Sequence, residues 1–586
     1  MSVPSSSDGA PRRPPVVLVG PPVFRPGLPG WLLIGTIGLG ALLRFSAAAH
    51  GGLWRDEALF LFVSRIEPFS KLLGFLRQHE SHPPGFYLLM RAWSELLGRS
   101  ESAAVGLSLL IGVTLIPLVY YVGSRLFSWR VGLFAAALAA VSPPLIQLSI
   151  LVRPYALLAA LCVWTAYLLW ECLREGGRGQ WALYGVAMVL MLYIHNWTLL
   201  LYGAHGVIAL AWIGTRPEPR RREILRPWLM TQAVILALYA PWLPVLHHQF
   251  THAGHGPSPS LSSGPYLMAA KVLAGAKVKY AVPLLLLAAG AGLLAWRRNR
   301  MPPRGTDLSL GVAITAGIPL LVIAAATVIS GETNLLPPWC VAVLAPLMVL
   351  LFARLLGWVH ETGAWREAYA SGAALLILYG LTWHFDPENL KSNARETAIA
   401  VAKRAAPGDL VIVTPETLAS SFNYYFRPKN SQIDYPSMRR EQVVRYDDRF
   451  GKMTSEATLQ RALARIDTAR AQGRRVWFVM EVGDMNDSFV RPLVAADTAR
   501  DYLKPLVLKR SNQLRQHLVA LYGQPTLTLT PAPGADALEL LGALLFEPSS
   551  PATSASLAGR VSCQVIVPAG GRGDSAPAVP AGRPCE

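Results

Sequence analysis

Two adjacent carboxylates, Asp56 and Glu57, stand in the stretch Leu53-Trp54-Arg55-Asp56-Glu57, directly after the first long apolar run. Placing carboxylates where a chain leaves a bilayer costs free energy unless they are solvated by water or bound to a cation or a substrate. Such a carboxylate can act as a general base toward a substrate hydroxyl. The alternative is that the pair only caps and charges the first turn of an interfacial helix, which would begin at Glu57 or Ala58.

Polar residues further along the same loop and in later loops could complete a site with Asp56. The candidates for substrate contact are His82, Arg153, Tyr155, Lys277 and Lys279. Arg and Lys suit a phosphate group, and Glu80 with His82 could contribute to a divalent-metal site. Each has a structural alternative: His82 can serve as a turn residue before two prolines, Arg153 can snorkel to the interface, and Tyr155 can be an aromatic membrane anchor.

The composition is that of an integral membrane protein. Of the 586 residues, 52% are hydrophobic and 15% are charged, and the mean hydropathy is +0.34. About eleven apolar runs are long enough to cross a bilayer. They lie near residues 31–49, 103–122, 131–147, 155–171, 181–197, 199–214, 228–246, 280–296, 309–329, 339–358 and 368–384. The segment from Pro84 to Leu97 is too short and too charged to span, and is predicted to be an amphipathic interfacial helix.

The formal charge of +18 comes from Arg residues that cluster in alternate loops between apolar runs. The positive-inside rule assigns these loops to the cytoplasm, which puts the N-terminus inside and the loop with Asp56 outside. There is no zinc-finger spacing, RNA-binding signature or basic stripe interleaved with aromatics, so nucleic acid is not an expected partner.

The composition divides the chain into four parts. Residues 1–30 are expected to be a disordered cytoplasmic N-terminus, 31–386 a transmembrane domain, 387–548 a small extracytoplasmic α/β domain and 549–586 a disordered tail. Within the α/β domain the apolar runs 409–414, 475–480 and 517–522 predict strands, and 394–405 and 456–472 predict helices. The predicted fold is therefore an α-helical polytopic membrane protein with a C-terminal α/β domain.

The location of the site limits the reaction. There is no nucleotide pool outside the membrane, and the chain has no P-loop or Gly-rich dinucleotide turn. An activated group must arrive attached to lipid, and a polyprenyl-phosphate sugar meets that requirement. Asp56 could accept the proton of the attacking hydroxyl, while a metal ion or a cationic side chain stabilises the departing phosphate.

The motifs resemble those of a known superfamily. Trp54-Arg55-Asp56-Glu57, then His82-Pro83-Pro84 with Tyr87, then Ser142-Pro143-Pro144 leading to Arg153-Pro154-Tyr155, are similar to the GT-C glycosyltransferases. The most similar branch is that of the bacterial relatives of protein O-mannosyltransferases and of the lipid A aminoarabinose transferase. The resemblance implies a multi-pass protein of the bacterial inner membrane and a polyprenyl-phosphate sugar donor. It also implies inversion at the anomeric carbon, Asp56 as base with Glu57 beside it, and often a divalent cation near the first loop.

The sequence also departs from that pattern. Val105 and Leu151 stand where the superfamily often has an Arg and an acidic residue, and Asn334 lies where a late Arg-Tyr is common. Either other cations hold the donor here, or activity is weakened or lost. The alternatives to an enzyme are a non-catalytic member of the superfamily and a transporter of lipid-linked sugars. The acceptor could be a lipid, a glycan or a protein.

Overall fold

A computed structural model describes residues 27–49, 52–252, 311–318, 341–384, 390–428, 430–440, 449–481, 503–531, 537–548 and 563–567, with a few isolated positions between them. The first part of the chain is helical. Its helices are α1 Leu28–Ala48, α2 Arg55–Ser64, α3 Phe69–Gln78, α4 Gly85–Leu97, α5 Glu101–Leu126, α6 Trp129–Val141, α7 Pro143–Ile150, α8 Tyr155–Glu175, α9 Arg178–Leu192, α10 Thr198–Gly214, α11 Arg220–Tyr239, α12 Leu243–His252, α13 Ala345–Glu361 and α14 Trp365–His384.

Within the described ranges, four helices are long and apolar enough to cross a membrane: Leu28–Ala48, Glu101–Leu126, Tyr155–Arg174 and Arg220–Gln249. A fifth span is possible if α6 and α7, which meet at a 58° bend, cross together. These helices coincide with predicted spans, but the predicted count of about eleven is not confirmed. The runs near 280–296 and most of 309–329 lie outside the described residues.

The bend between α6 and α7 places the turn that carries Arg153. Pro143 cannot supply the backbone N–H that would continue α6, so the helix ends at Val141. The guanidinium of Arg44, fully buried on α1, donates to the carbonyls of Ala139 and Ala140, near the end of α6, at 3.0 and 2.9 Å. It also donates to Ser149 Oγ on α7 at 3.1 Å. One buried cation therefore fixes the direction in which α7 leaves.

The C-terminal part of the described chain contains a mixed sheet with helices on both faces. The strands are β1 Leu390–Ser392, β2 Leu410–Val413, β3 Ser431–Asp434, β4 Val476–Glu481, β5 Leu527–Pro531, β6 Ala537–Glu539, β7 Leu541–Phe546 and β8 Cys563–Val567; the helices are α15 Ala394–Arg404, α16 Ala419–Tyr425, α17 Arg449–Thr454, α18 Glu456–Ala471 and α19 Leu503–Tyr522. The main sheet has the order β3-β2-β4-β7-β5-β8, in which β7 is antiparallel to both neighbours, and β1 pairs with β6 in a separate parallel ribbon.

Side chains that alternate along the central strands explain why helices pack on both faces of the sheet. Val411 and Val413 pack toward α15 and α16, while Ile412 packs with α18 and α19 on the opposite face. Successive side chains of a strand point to opposite faces, so a strand that is apolar throughout is one with both faces covered. The sequence predicted β2, β4, α15 and α18 to within two residues at each end.

Three local predictions differ from the structure. Residues 517–522 are not a strand but the end of α19, because Leu514, Leu518 and Tyr522 recur at helical spacing and are buried together. Cys563–Val567, inside the stretch predicted to be disordered, pairs with β5 as an edge strand. The helix after the first span begins at Arg55, two residues before the predicted start.

Candidate active site

Glu57 determines how the first loop begins its helix. Its Oε2 accepts a hydrogen bond from the backbone N–H of Trp54, at the N-cap position, at 3.3 Å. This hydrogen bond satisfies one of the donors that a helix start leaves open. Asp56 then lies in the first turn of α2, half-buried at the positive end of the helix dipole.

The Glu57 carboxylate has further partners inside the protein. Its Oε1 accepts from the backbone N–H of Val152 at 2.7 Å and from Lys391 Nζ at 3.2 Å, and the residue has no exposed surface. Lys391 also donates to the carbonyl of Ile150 at 3.0 Å. A catalytic role for Glu57 stays a prediction, and these contacts favour a structural role, since a fully enclosed group with several donors cannot meet a substrate.

Glu80 and His82 form a pair in the turn between α3 and α4. Glu80 Oε1 lies 3.0 Å from His82 Nδ1 and accepts from the Ser81 backbone N–H at 2.8 Å. Burial alone would raise the pKa of Glu80, but the hydrogen bond and charge of His82, with Arg153 and Ser81, lower that pKa to about 2. Asn196 holds the turn by donating to the Ser81 carbonyl at 2.9 Å. Glu80 is therefore an anion that orients His82.

Arg153 lies in the turn before α8, close enough to Asp56 and Glu80 to interact electrostatically with both. Burial disfavours its charge, but Tyr155, Tyr87 and the two carboxylates raise the pKa of the guanidinium above its usual value. The group sits 5.9 Å from the Phe60 ring centroid. Its Nε atom is enclosed and, among the described residues, has no hydrogen-bond partner. A partly buried cation with an unused Nε–H donor is suited to an anionic ligand.

Aromatic and imidazole rings form one wall of this cluster. His195 lies 4.6 Å from His82 and 6.0 Å from Tyr155 between ring centroids. Burial, and then the electrostatic effects of His82 and Arg153, hold the pKa of His195 well below its usual value, so its ring is neutral. Its Nε2 has no hydrogen-bond partner in the described part of the chain.

The structure thus brings together most of the residues that the sequence singled out. Asp56, Glu80, His82, Arg153 and Tyr155 lie in one cluster, built from the first loop and the turn before α8. Lys277 and Lys279 fall outside the described residues.

A metal site does not follow from this geometry. Glu80 and His82 are hydrogen-bonded to each other, and no group of three His, Cys, Asp or Glu side chains that could hold a metal ion occurs within the described ranges. Two protein donors fall short of a structural or catalytic zinc site. The described residues therefore do not by themselves supply the predicted divalent-cation site.

Two residues from the C-terminal sheet region also reach the first loop, and the sequence reasoning did not find them. Lys391 contacts Glu57, and Glu539 lies close enough to Arg55 and Asp56 to interact electrostatically with both. Burial raises the pKa of Glu539 to about 7, Asp56 adds to the rise, and Arg55, Ser421 and Ser392 oppose it. A glutamate inside the apolar run 537–545 was a usable signal, whereas nothing in the sequence around Lys391 distinguishes it.

Comparison with known proteins gives one family match and several structural matches. Residues 81–245 match the family described as dolichyl-phosphate-mannose-protein mannosyltransferase. No curated protein matches the chain in sequence.

Two solved structures illustrate the structural similarity. ArnT from Cupriavidus metallidurans, solved with undecaprenyl phosphate, is 14% identical with a TM-score of 0.51, over 81% of this chain and 97% of that one. The oligosaccharyltransferase of Archaeoglobus fulgidus, solved with a tethered acceptor peptide, is 10% identical with a TM-score of 0.46, over 82% of this chain and 72% of that one. The family match over residues 81–245 and the fold shared with ArnT confirm the resemblance to the GT-C glycosyltransferases that the motifs predicted.

Proposed function

We propose that this protein transfers a sugar from a polyprenyl-phosphate donor to a hydroxyl of an extracytoplasmic lipid, glycan or protein, with inversion at the anomeric carbon. The observation that carries the proposal is the proximity of Asp56, half-exposed at the start of α2, to the partly buried guanidinium of Arg153. A proton acceptor and a phosphate-binding cation are the two groups that this reaction needs close together.

In the proposed step the acceptor hydroxyl attacks the anomeric carbon while its proton passes to Asp56. The bond between that carbon and the phosphate oxygen breaks, and the polyprenyl phosphate leaves with the electron pair. Arg153 stabilises the negative charge on the departing phosphate, and its partly buried position strengthens that interaction relative to water.

The other predicted site residues take supporting roles. His82, oriented by Glu80, and Tyr155 lie beside Arg153 and contact the donor phosphate or sugar. Glu57 holds the loop instead of transferring a proton, as its burial and its three donors support. A donor-binding role for Lys277 and Lys279 rests on the sequence alone.

The fold supports the donor class. ArnT from Cupriavidus metallidurans was solved with undecaprenyl phosphate, and this chain shares that fold over most of its length. We propose that the donor of this protein carries the same class of lipid phosphate. The Arg-rich loops support a location in the bacterial inner membrane with a cytoplasmic N-terminus, and the C-terminal sheet region then lies on the outer side with the loop that carries Asp56.

Val105 and Leu151, two of the departures from the superfamily pattern, are buried apolar residues. They add no charge near Arg153, so in this proposal Arg153 carries the main phosphate contact. If the protein is a non-catalytic member, the cluster catalyses no sugar transfer. If it is a transporter, it moves the lipid-linked sugar across the membrane without transferring the sugar.

The test is an assay of the purified protein with polyprenyl-phosphate sugars. Release of free polyprenyl phosphate that depends on an added acceptor supports the proposal. Flipping of the labelled lipid in vesicles without release supports a transporter, and binding without either supports a non-catalytic subunit.

A further inference from the structure

A buried ion pair joins the C-terminal sheet region to the proposed active site. Lys391, on β1, is 5% exposed and its Nζ lies 3.2 Å from the Glu57 carboxylate, which has no exposed surface. Nζ also donates to the carbonyl of Ile150 at the end of α7. Three separate parts of the chain therefore meet at one ammonium group.

The ion pair holds the backbone next to Asp56 and Arg153, the two residues that the reaction needs. Glu57 directly follows Asp56, and Val152, whose N–H donates to Glu57 at 2.7 Å, directly precedes Arg153. One carboxylate thus fixes the backbone beside the base and the backbone beside the cation. Lys391 balances the charge of that carboxylate, which would otherwise be enclosed without a counterion.

Lys391 is itself held firmly. The next residue, Ser392, accepts from the Gly52 backbone N–H at 2.9 Å. Asn393 exchanges two side-chain hydrogen bonds with the backbone of Leu541, at 2.8 and 2.7 Å, which ties the end of β1 to the main sheet. The position of the ammonium group is therefore set by the folded C-terminal sheet region.

We propose that Lys391 is a positioning residue for sugar transfer: acting through Glu57, it sets the separation between Asp56 and Arg153. The C-terminal sheet region then helps to position the residues of the active site. This inference rests on the proposed function.

The experiment compares Lys391→Met, Glu57→Gln, the double variant and Lys391→Arg in the full-length protein in detergent. Lys403→Met is the matched control, since Lys403 is exposed on α15 in the same region. We expect Lys391→Met to lower kcat about tenfold to a hundredfold with the KM for the donor little changed, since small misplacements of catalytic groups have effects of that size. Lys391→Arg, which keeps the charge, should recover part of the loss, and Lys403→Met should behave as wild type.

The double variant tests the route of the effect. If Lys391 acts through Glu57, the loss in the double variant will be no larger than that in the worse single variant; losses that multiply would overturn the inference. The double variant also removes both charges together, so it leaves no unpaired buried charge if Lys391→Met alone fails to fold.

Hydrogen exchange provides a readout that does not need turnover. We expect segments 52–62 and 148–156 to exchange faster together in Lys391→Met, and neither to change in Lys403→Met. Wild-type exchange in both segments with wild-type kcat would overturn the inference. If the wild-type protein transfers no sugar, the proposed function fails, and the exchange of these segments still decides whether Lys391 positions them.

Discussion

The imidazole rings of His82 and His195 lie edge to face, with their centroids 4.6 Å apart. The two residues come from turns more than a hundred positions apart, and the contact closes one side of the cluster around Arg153. The backbones of the same two turns also meet, because the Gly85 N–H donates to the Tyr193 carbonyl at 2.8 Å. The proposed site therefore depends on a close approach that only a small residue permits.

Gly85→Ala should weaken both the fold and the activity. A Cβ atom at this position would lie 2.6 Å from the Tyr193 carbonyl oxygen, which is backbone and cannot swing away. Overpacking of this kind costs about 1–3 kcal/mol, and it would separate His82 from His195. We expect a lower unfolding temperature and slower transfer.

Gly74→Ala is the matched control for this substitution. Gly74 lies on α3 in the same loop, and nothing lies within 4 Å of an added Cβ. Ala in an open helical position should stabilise the protein by about 0.5–1 kcal/mol. Equal unfolding temperatures for the two variants would mean that the contact of Gly85 with Tyr193 has no structural importance.

Arg153→Met should weaken donor binding. The guanidinium is a partly buried cation in the cluster, and charge-assisted hydrogen bonds contribute about 1.5–3 kcal/mol. The Kd for undecaprenyl phosphate should therefore rise roughly tenfold to a hundredfold. Titration of the detergent-solubilised protein measures this. Arg130→Met, at an exposed position on α6 above Trp129, is the control. An unchanged Kd for Arg153→Met would show that the phosphate binds elsewhere.

Glu539→Gln should change how stability depends on pH. With a folded-state pKa of about 7 against an ordinary 4.5, Glu539 keeps in the folded protein a proton that the unfolded chain releases. The folded state therefore loses stability as pH rises from about 4.5 to 7 and loses no more above that range. Gln does not titrate, so the variant lacks this loss. Its free energy of unfolding, relative to that of the wild type, should therefore rise by up to about 3 kcal/mol between pH 5 and pH 8.

Thermal unfolding at a series of pH values measures this gain. Glu95→Gln, at an exposed position on α4, should show no trend with pH relative to the wild type. A difference between Glu539→Gln and the wild type that is the same at pH 5 and pH 8 would contradict the assignment.

Local patterns in the sequence predicted much of the fold, because they depend on neighbouring residues. Apolar runs indicated α1, α5 and α8, and the charges of Arg91 and Glu95 distinguished α4 from a span. Residues 517–522 were read as a strand because a short apolar run has no clear period until the helix around it, with Leu514, is included.

The site was predictable only in part, for a similar reason. Asp56, Glu80, His82 and Arg153 stood out because polar groups beside apolar runs are costly. Lys391 did not stand out, because its importance arises from contacts with residues hundreds of positions away. Glu539 carried a signal, as a glutamate inside an apolar run, but the sequence did not show that it lies near the first loop. Glu57 is buried, while the neighbouring Asp56 is half-exposed. This difference likewise depends on Lys391 and Val152 and cannot be deduced from two adjacent acidic residues in the sequence.

The most direct test of the central claim is single-turnover sugar transfer by Asp56→Asn, with the donor pre-bound. Asn keeps the size of the side chain but cannot accept the proton. We expect the rate to fall about 10²- to 10⁴-fold, the range for loss of a general base, with donor affinity and unfolding temperature unchanged. Glu67→Gln, at an exposed position in the same loop, should keep the wild-type rate. A wild-type rate in Asp56→Asn would contradict the account.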